Sequence, residues 1–229
     1  MTKKNLLNLS LDELAIEIKT LNEPVFRAEQ IFISLHKKNV NSISEISGIP
    51  AILKEKLEEL YFIPTLKSIK VTESEKSVTK KFLFETETNL NNSGKNQKYF
   101  IESVLISEND RETICISTQV GCNVGCEFCA TGKMGFKKNL DVSEIISQVY
   151  EVKKLTGITP TNIVYMGMGE PFLNYDNMLE SLKIITHPKG MNLTSKRITV
   201  STVGFKGKIK KFANDLILEE NKSIKNVKL

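Results

Sequence analysis

Three cysteines, Cys122, Cys126 and Cys129, lie close together in the chain. Their spacing is Cys-x3-Cys-x2-Cys, and Phe128 stands directly before the last of them. Three thiolates on one loop suit a cuboidal iron–sulfur cluster, because they bind three irons and leave the fourth iron open. An open iron can hold a cofactor, so the spacing favours cofactor chemistry over electron storage. Phe128 is predicted to stack beside that cofactor.

A structural zinc site is the main alternative for these cysteines. Zinc in such a site takes four ligands, usually as two close pairs. The fourth ligand would have to be Cys115, His36 or His187, and neither histidine stands in a ligand-like pair. A disulfide is disfavoured because no secretory signal precedes the cysteines, which predicts a reducing, cytoplasmic location. The spacing therefore favours a cluster and leaves zinc or inert thiols as the other readings.

The length and composition are those of a globular protein. The chain has 229 residues, of which 40% are hydrophobic, and no apolar run approaches the length of a membrane span, so no membrane partner is predicted. The net charge of +5 is unevenly placed, because residues 186–229 hold ten Lys and Arg against three Asp and Glu. This basic segment suits a phosphate backbone, and a solvated lysine-rich surface explains it equally well.

Residues 1–65 are predicted to form a small helical domain. The capping-box pattern from Ser10 to Glu13 begins one helix, and Pro24 and Pro50 precede two more. The apolar residues predicted to face inward are Leu11, Leu14, Ala15 and Ile18, then Ala28, Ile31, Phe32 and Leu35, then Ile52, Leu53, Leu57 and Leu60.

The hydrophobic period changes to two at residue 68. Strands are predicted over 68–72, 79–84, 99–106 and 112–119, with an Asn-rich mobile loop between residues 88 and 97. Residues 66–110 are therefore predicted to be a β-rich connecting segment.

Helices and strands alternate in the remaining part, residues 111–229. Asp141 and Glu144 cap a predicted helix that Gly157 ends, and a strand over 162–166, a helix over 175–186 and a strand over 197–202 follow. This alternation predicts a parallel α/β core, with its site at the carboxyl ends of the strands. The cysteines and the glycines at 167 and 169 are predicted to face one pocket there.

The turn Gly167-Met168-Gly169-Glu170-Pro171 follows a buried strand. Glycines let a backbone approach a ligand closely, and carbonyl oxygens or the Glu170 carboxylate could receive an ammonium group. A tight turn with a capping acid explains the same residues without a ligand. Beside a cluster loop, the turn suits the amino group of a methionine moiety. Ser201, at the end of the last predicted strand, could bind a ribose hydroxyl or a carboxylate, or be an ordinary strand-end serine.

Together these motifs resemble the radical S-adenosylmethionine (SAM) enzymes, and more narrowly the RlmN/Cfr family of RNA adenine methyltransferases. The narrower resemblance spans residues 8–216 and favours the RlmN group. It is carried by Arg-Glu-Thr-Ile-Cys-Ile-Ser-Thr-Gln-Val-Gly-Cys at 111–122, Gly135-Phe136, Asn139-Leu140, Ser143-Glu144-Ile145-Ile146, Phe26-Arg27-Ala28 and Gln30-Ile31-Phe32.

The resemblance implies an α/β fold, a partial (β/α) radical-SAM barrel behind a helical accessory domain that engages RNA. It implies that Cys122, Cys126 and Cys129 ligate a 4Fe–4S cluster, whose open iron chelates SAM and whose electron cleaves SAM to a deoxyadenosyl radical. The product implied is adenine methylated at carbon 2 in 23S rRNA and tRNA, with an electron donor for the cluster.

The resemblance also implies roles for residues outside the cluster loop. Gly169, Glu170 and Ser201 match SAM-contacting positions. Glu102 matches the general base, and Cys115 matches a cysteine that works with a methyl-carrying cysteine near the carboxyl terminus. Without the resemblance, Glu102 is an ordinary strand carboxylate and Cys115 a small buried hydrophobe.

The sequence departs from the family after its middle. No cysteine follows Cys129, a later Ser-Leu-His segment and an asparagine are missing, and residues 217–229 are too polar for the next buried strand. The hypothesis is that this chain is the amino-terminal part of such an enzyme, cut short by a frameshift or a split gene. It predicts an unpaired sheet edge, an open apolar face, and poor solubility or dependence on a second chain. A non-catalytic RNA-binding remnant and a Cfr-like enzyme acting on carbon 8 are the alternatives.

Overall fold

The computed structural model describes residues 3–75, 78–88 and 97–229. Residues 89–96, nearly all of the predicted Asn-rich loop, lie outside this part of the chain. Within it, no helix is both long enough and apolar enough to cross a bilayer.

The amino-terminal residues form three helices, as the sequence predicts. Ser10 and Glu13 make the capping box, in which each side chain accepts a hydrogen bond from the other residue's backbone N–H. The elements are β1 (Lys4–Asn5), α1 (Leu11–Thr20), α2 (Phe26–His36), α3 (Ala51–Leu60) and β2 (Tyr61–Phe62), and β1 pairs with β2 in parallel.

The predicted inward face of α3 is wrong at two positions. Leu53 and Leu57 are buried, but Ile52 is 66% exposed and Leu60 39% exposed. Successive residues of an α-helix are rotated by about 100°, and in α3 this rotation turns Ile52 from the buried side of Leu53 toward solvent. Leu60 is the last residue of the helix, where the chain turns into β2.

A six-stranded mixed sheet forms the centre of the protein. Its strand order is β10-β9-β6-β5-β4-β3, in which β3 to β6 are antiparallel neighbours and β6, β9 and β10 are parallel. The strands are β3 (Lys67–Glu73), β4 (Thr79–Thr88), β5 (Gln97–Glu108), β6 (Arg111–Cys115), β7 (Gln119–Val120), β8 (Lys138–Asn139), β9 (Asn162–Tyr165) and β10 (Ile198–Val200), of which β7 and β8 form a separate antiparallel pair.

The mixed α/β class is thereby confirmed, whereas the division into domains at residues 65 and 110 stays a prediction. β5 and β6 lie on either side of residue 110 and pair directly with each other. The predicted strand over 112–119 is shorter in the structure, since β6 ends at Cys115.

Helices between the parallel strands bury one face of the sheet. The later helices are α4 (Ala130–Lys133), α5 (Val142–Thr156), α6 (Tyr175–Thr186) and α7 (Lys208–Ile217). The predicted Asp141 capping box begins α5, and Gly157, with φ of 73°, ends it. Tyr165 of β9 is 1% exposed and its hydroxyl lies 2.8 Å from the Ser181 Oγ of α6, so α6 packs directly on the sheet.

The carboxyl-terminal residues cover the outer edge of β10. Lys228 donates its N–H to the carbonyl of Ile198 (3.0 Å) and accepts the N–H of Val200 (2.8 Å), as the next parallel strand would. Ile224 is fully buried and Val227 is 7% exposed. The expectation of an unpaired edge is therefore wrong at β10: residues 219–224 form a 3-10 helix rather than a strand, but the segment still satisfies the edge.

Truncation of Ile224 tests whether this segment is part of the core. Ile224→Ala is expected to lower the free energy of unfolding by about 2 to 5 kcal/mol, because it leaves a cavity at a fully buried position. Ile217→Ala is the matched control, since Ile217 is 73% exposed and its truncation should cost less than about 0.5 kcal/mol. Urea unfolding of both variants measures the difference. Equal effects would show that residues 219–229 do not pack on the sheet.

Candidate functional site

The carboxyl ends of β6, β9 and β10 meet at one edge of the sheet because the three strands are parallel. Each is followed by a segment with candidate site residues. We call residues 116–129 the cysteine loop, 166–171 the glycine turn and 201–205 the β10 loop. The predicted placement of the cysteines and glycines at one edge is thus what the structure has.

The cysteine loop and the glycine turn are joined by backbone hydrogen bonds. The carbonyl of Met168 accepts the N–H groups of Thr118 (2.8 Å) and Gln119 (3.1 Å), and the N–H of Met168 donates to Ser117 Oγ (2.8 Å). These bonds fix the start of the cysteine loop against the turn, before the first of the three cysteines.

The glycines of the turn are required by this close approach. A Cβ on Gly167 would lie 2.7 Å from the carbonyl oxygen of Ile116, and a Cβ on Gly169 would lie 2.5 Å from the Cβ of Gln119. Gly169 also has φ of 97°, which other residues rarely adopt. The sequence suggested an approach to a ligand, whereas the structure gives the glycines a close contact with the cysteine loop.

The base of the cysteine loop is closed by the β7–β8 pair and by a buried amide. Gly121 has φ of 71°, and a Cβ there would overlap the carbonyl oxygen of Gly135. The Asn174 side chain donates to the carbonyls of Thr118 (2.8 Å) and Leu140 (2.7 Å), one on each side of the loop. The segment with the cysteines therefore projects from a fixed base.

Cys122, Cys126 and Cys129 are partly exposed and none forms a disulfide. Hydrogen bonds from the backbone N–H groups of Gly132 and Thr131 lower the pKa of the Cys129 thiol below its usual value. In the part of the chain that the structure describes, no three His, Cys, Asp or Glu side chains converge as a metal site. The three thiols share one loop without being drawn together.

The donor set nevertheless fits an iron–sulfur cluster. A cluster binds thiolates, and the hydrogen bonds to Cys129 favour the thiolate form. Metal binding is coupled to the folding of the segment that carries the ligands, so the bonds to the metal can themselves bring the ligands together. The three cysteines are reachable from solvent on a loop whose base alone is fixed, so they can close around an inserted cluster.

Glu170 is 3% exposed and joins the glycine turn to both of the other segments. One carboxylate oxygen accepts the N–H of Phe172 (2.9 Å) and the other accepts the N–H of Val203 in the β10 loop (2.9 Å). Its own N–H donates to the Gln119 side chain (2.9 Å). Glu170 is thus the capping acid of a tight turn, and it also fixes the β10 loop beside that turn.

Phe128 and Ser201 are both exposed at this edge. Phe128 is 94% exposed, which leaves its ring free to pack against a bound molecule. The N–H of Ser201 donates to the Tyr165 carbonyl (3.3 Å), which carries the pairing with β9 one residue beyond β10.

Glu102 and Cys115 lie on the same face of the sheet, the one that α5 and α6 do not cover. Val104 stands directly opposite Cys115, and Glu102 is two residues from Val104, so the two side chains are diagonal neighbours. The Glu102 carboxylate is 2.9 Å from the Lys81 ammonium. Burial raises the pKa of the Cys115 thiol, a hydrogen bond with the backbone of Met166 opposing it.

Two buried glutamines position the cysteine loop, and the sequence alone did not single them out. Gln148 of α5 accepts the N–H of Ser117 (2.8 Å) and donates to its carbonyl (2.9 Å), while Gln119 donates to Asn139 (2.8 Å). Gln148 lies with Ile145 and Val149 on the buried side of α5, and a polar residue on an apolar helix face is the signal that could have revealed it.

Two family models match the chain. The model described as the radical SAM superfamily matches residues 116–220. The model described as the ribosomal RNA large subunit methyltransferase N-terminal domain matches residues 4–63.

Curated relatives and a solved structure match most of the chain. A probable dual-specificity RNA methyltransferase RlmN of Thermotoga neapolitana is 44% identical over 212 residues, which are 93% of this chain and 59% of the relative. A protein of the same description from Dictyoglomus thermophilum is 41% identical over 90% of this chain and 57% of its own length. The crystal structure of a radical SAM methyltransferase from Sphaerobacter thermophilus has a TM-score of 0.78 and 36% identity, over 92% of this chain and 60% of that one. The chain thus spans somewhat more than half the length of the proteins it matches.

Replacement of Gly169 tests the contact between the glycine turn and the cysteine loop. Gly169→Ala and the control Gly204→Ala meet the same backbone restriction, since the two φ angles are 97° and 91°, but only Gly169 has a neighbour in the way. Gly204→Ala should cost about 1 kcal/mol of unfolding free energy, and Gly169→Ala about 1 to 3 kcal/mol more. Denaturant unfolding measures both. Indistinguishable values would contradict the close packing of the two segments.

Proposed function

The chain belongs to the RlmN-like group of the radical SAM superfamily, whose members use a 4Fe–4S cluster and SAM, and on this premise we propose that it carries the radical-generating part of an RNA adenine methyltransferase. The reaction proposed for full-length enzymes of this group is methylation of carbon 2 of adenine in 23S rRNA and tRNA. The relatives' description as dual-specificity RNA methyltransferases supports this choice. The fold proposed for residues 111–229 is an incomplete (β/α) barrel.

The observation that carries the proposal is the junction of three segments at one sheet edge. Met168 bonds the glycine turn to the cysteine loop, and Glu170 bonds it to the β10 loop. Every residue proposed to hold the cluster or SAM lies on these segments. The positions match a cofactor that must touch the cluster and the ends of several strands at once.

Cys122, Cys126 and Cys129 are the proposed cluster ligands. When bound, the cluster supplies the electron that breaks a carbon–sulfur bond of SAM. The chain's own contribution is to present three thiols on a loop with a fixed base, and to favour the thiolate of Cys129 by backbone hydrogen bonds.

Phe128, Gly169, Glu170 and Ser201 are the proposed SAM contacts. The exposed Phe128 ring offers an apolar surface for the adenosyl part, and the Ser201 hydroxyl offers a polar contact. The Glu170 oxygens each accept one backbone N–H. A carboxylate has about four acceptor sites, so Glu170 can still receive the SAM ammonium while its orientation is held by the backbone.

Glu102 and Cys115 are the proposed catalytic pair for the later steps. They lie on one open face of the sheet, at a diagonal Cα separation of about 7 to 8 Å. The Lys81 ion pair orients the Glu102 carboxylate. The family resemblance assigns the methyl group to a late cysteine, and these 229 residues contain none after Cys129. For these 229 residues by themselves, the activity proposed is therefore SAM cleavage.

Two other functions remain distinct candidates. A non-catalytic RNA-binding protein would use the amino-terminal helices and the basic segment without turnover. A Cfr-like enzyme would methylate carbon 8 of adenine, and mass spectrometry of the modified nucleoside separates it from the proposed carbon 2 product.

Iron content and visible absorption distinguish the cluster from a four-ligand zinc site. After anaerobic reconstitution, the wild-type protein is expected to bind about four irons, and Cys129→Ala should lose the characteristic 4Fe–4S absorption. Cys115→Ala is the matched control, because Cys115 lies at the end of β6 and not on the cysteine loop. It should keep the cluster. If the wild type instead holds stoichiometric zinc and Cys115→Ala loses that zinc, the cluster assignment is refuted.

Product analysis tests the proposed activity directly. Reduced, reconstituted protein is expected to convert SAM to 5′-deoxyadenosine and methionine, as measured by liquid chromatography, and Cys129→Ala should form neither above background. A protein that holds the cluster, binds RNA and forms no 5′-deoxyadenosine would favour the RNA-binding alternative.

A further inference from the structure

The ten basic residues of the segment 186–229 fall into separate places in the fold. Lys189 forms an ion pair with Glu29 (2.5 Å), and Lys196 and Arg197 precede β10, at the edge opposite to the candidate site. Three more lysines lie in the residues after α7. The remaining four are Lys206, Lys208, Lys210 and Lys211, all exposed. These four follow the β10 loop directly in the chain, so we call them the rim lysines.

The rim lysines are tied to the candidate site by short, fixed connections. The β10 loop ends one residue before Lys206, and its Val203 N–H donates to Glu170 (2.9 Å). Phe212 of α7 is 1% exposed and packs against Phe172, the residue that follows the glycine turn, with ring centroids 5.6 Å apart. Helix α7 is therefore held against the same turn that holds the cysteine loop.

Packing of α7 divides its lysines into restrained and free ones. Lys208 and Lys211 stand over the Tyr175 ring, at 5.4 and 3.8 Å from its centroid, and Lys211 also pairs with Asp215 (2.9 Å). Within the residues that the structure describes, Lys206 and Lys210 make no ion pair. Lys208 has only its distant ring contact. Three ammonium groups are thus available at the start of the helix.

The backbone adds to this positive charge. Gly207 is the N-cap of α7 and provides no side-chain cap, so the first N–H groups of the helix have no partner from the cap side chain. The amino-terminal end of a helix carries a partial positive charge that favours anions. The lysines and the helix end therefore act in the same direction on a phosphate group.

We propose that Lys206, Lys208 and Lys210 form a docking surface for the phosphate backbone of an RNA strand whose base enters the candidate site. The inference rests on the proposed function for the choice of RNA as the polyanion. Phe128, 94% exposed at the same edge, is an aromatic ring of the kind on which unpaired bases stack, which favours a single-stranded nucleic acid over a membrane surface.

The test compares RNA binding by the wild type and by Lys206→Gln/Lys208→Gln/Lys210→Gln in the full chain. Binding of a fluorescent single-stranded RNA is followed by anisotropy between about 50 and 200 mM salt. Each phosphate contact to a single strand contributes a slope of about −0.7 to the dependence of log K on log salt. The triple variant should lose about 2 from the magnitude of that slope, and about 100-fold in affinity at about 0.1 M salt.

Two further variants separate position from net charge. Lys196→Gln/Lys222→Gln/Lys225→Gln removes the same charge from exposed lysines outside the rim and should change affinity by less than about threefold, which is less than one phosphate contact contributes. A triple Lys→Arg variant at the rim positions should bind as the wild type does, because the proposal requires positive charge at these positions and not lysine itself.

Several results would overturn the proposal. One is an equal loss of RNA affinity in both triple Gln variants, and another is the absence of RNA binding by the wild type. A third is that the rim triple Gln variant keeps its RNA affinity but loses binding to vesicles of equal parts phosphatidylcholine and phosphatidylglycerol. Formation of 5′-deoxyadenosine by the wild type without RNA is measured separately. It reports on the proposed radical chemistry alone, so that failure of one proposal does not imply failure of the other.

Discussion

The close backbone contact between residues 117–119 and 167–169 is the constraint on which the rest of the site depends. Met168 gives both its N–H and its carbonyl to the cysteine loop, and a Cβ on Gly167 or Gly169 would strike that loop. Because the contact uses main-chain atoms and the Ser117 hydroxyl, it fixes the first residues of the cysteine loop regardless of how the cysteines themselves are arranged. The loop is free only where a cluster would have to draw its ligands together.

Buried polar side chains extend this contact into the core. Gln148 satisfies both backbone groups of Ser117 from helix α5, and Glu170 gives its two carboxylate oxygens to two different segments. A buried polar group is costly unless its hydrogen bonds are made. These residues therefore specify one mutual arrangement of helix, loop and turn, and a shift of any one of them would leave donors or acceptors unsatisfied.

The outer edge of β10 is managed by residues that do not look like a strand. Lys228 pairs with Ile198 and Val200, while Ile224 and Val227 fill the space beneath. The polar composition of residues 217–229 correctly argued against a buried strand, but one bridge and a few apolar side chains suffice to cover an edge of three residues. The same segment is bonded to α7, because the Asn221 side chain donates to the Asp215 carbonyl (2.8 Å).

The sequence by itself determined the local elements and the chemical types at the site: the capping boxes of α1 and α5, the helix at 175–186, the three-cysteine spacing and the glycine turn. These depend on neighbours within a few residues, which local patterns record. Only the tertiary structure decided that Gly167 and Gly169 face the cysteine loop, that Gln148 holds Ser117, that Glu102 and Cys115 share a face, and that Ile52 is exposed. Those outcomes depend on strand register and on contacts between residues tens of positions apart, which no local pattern contains.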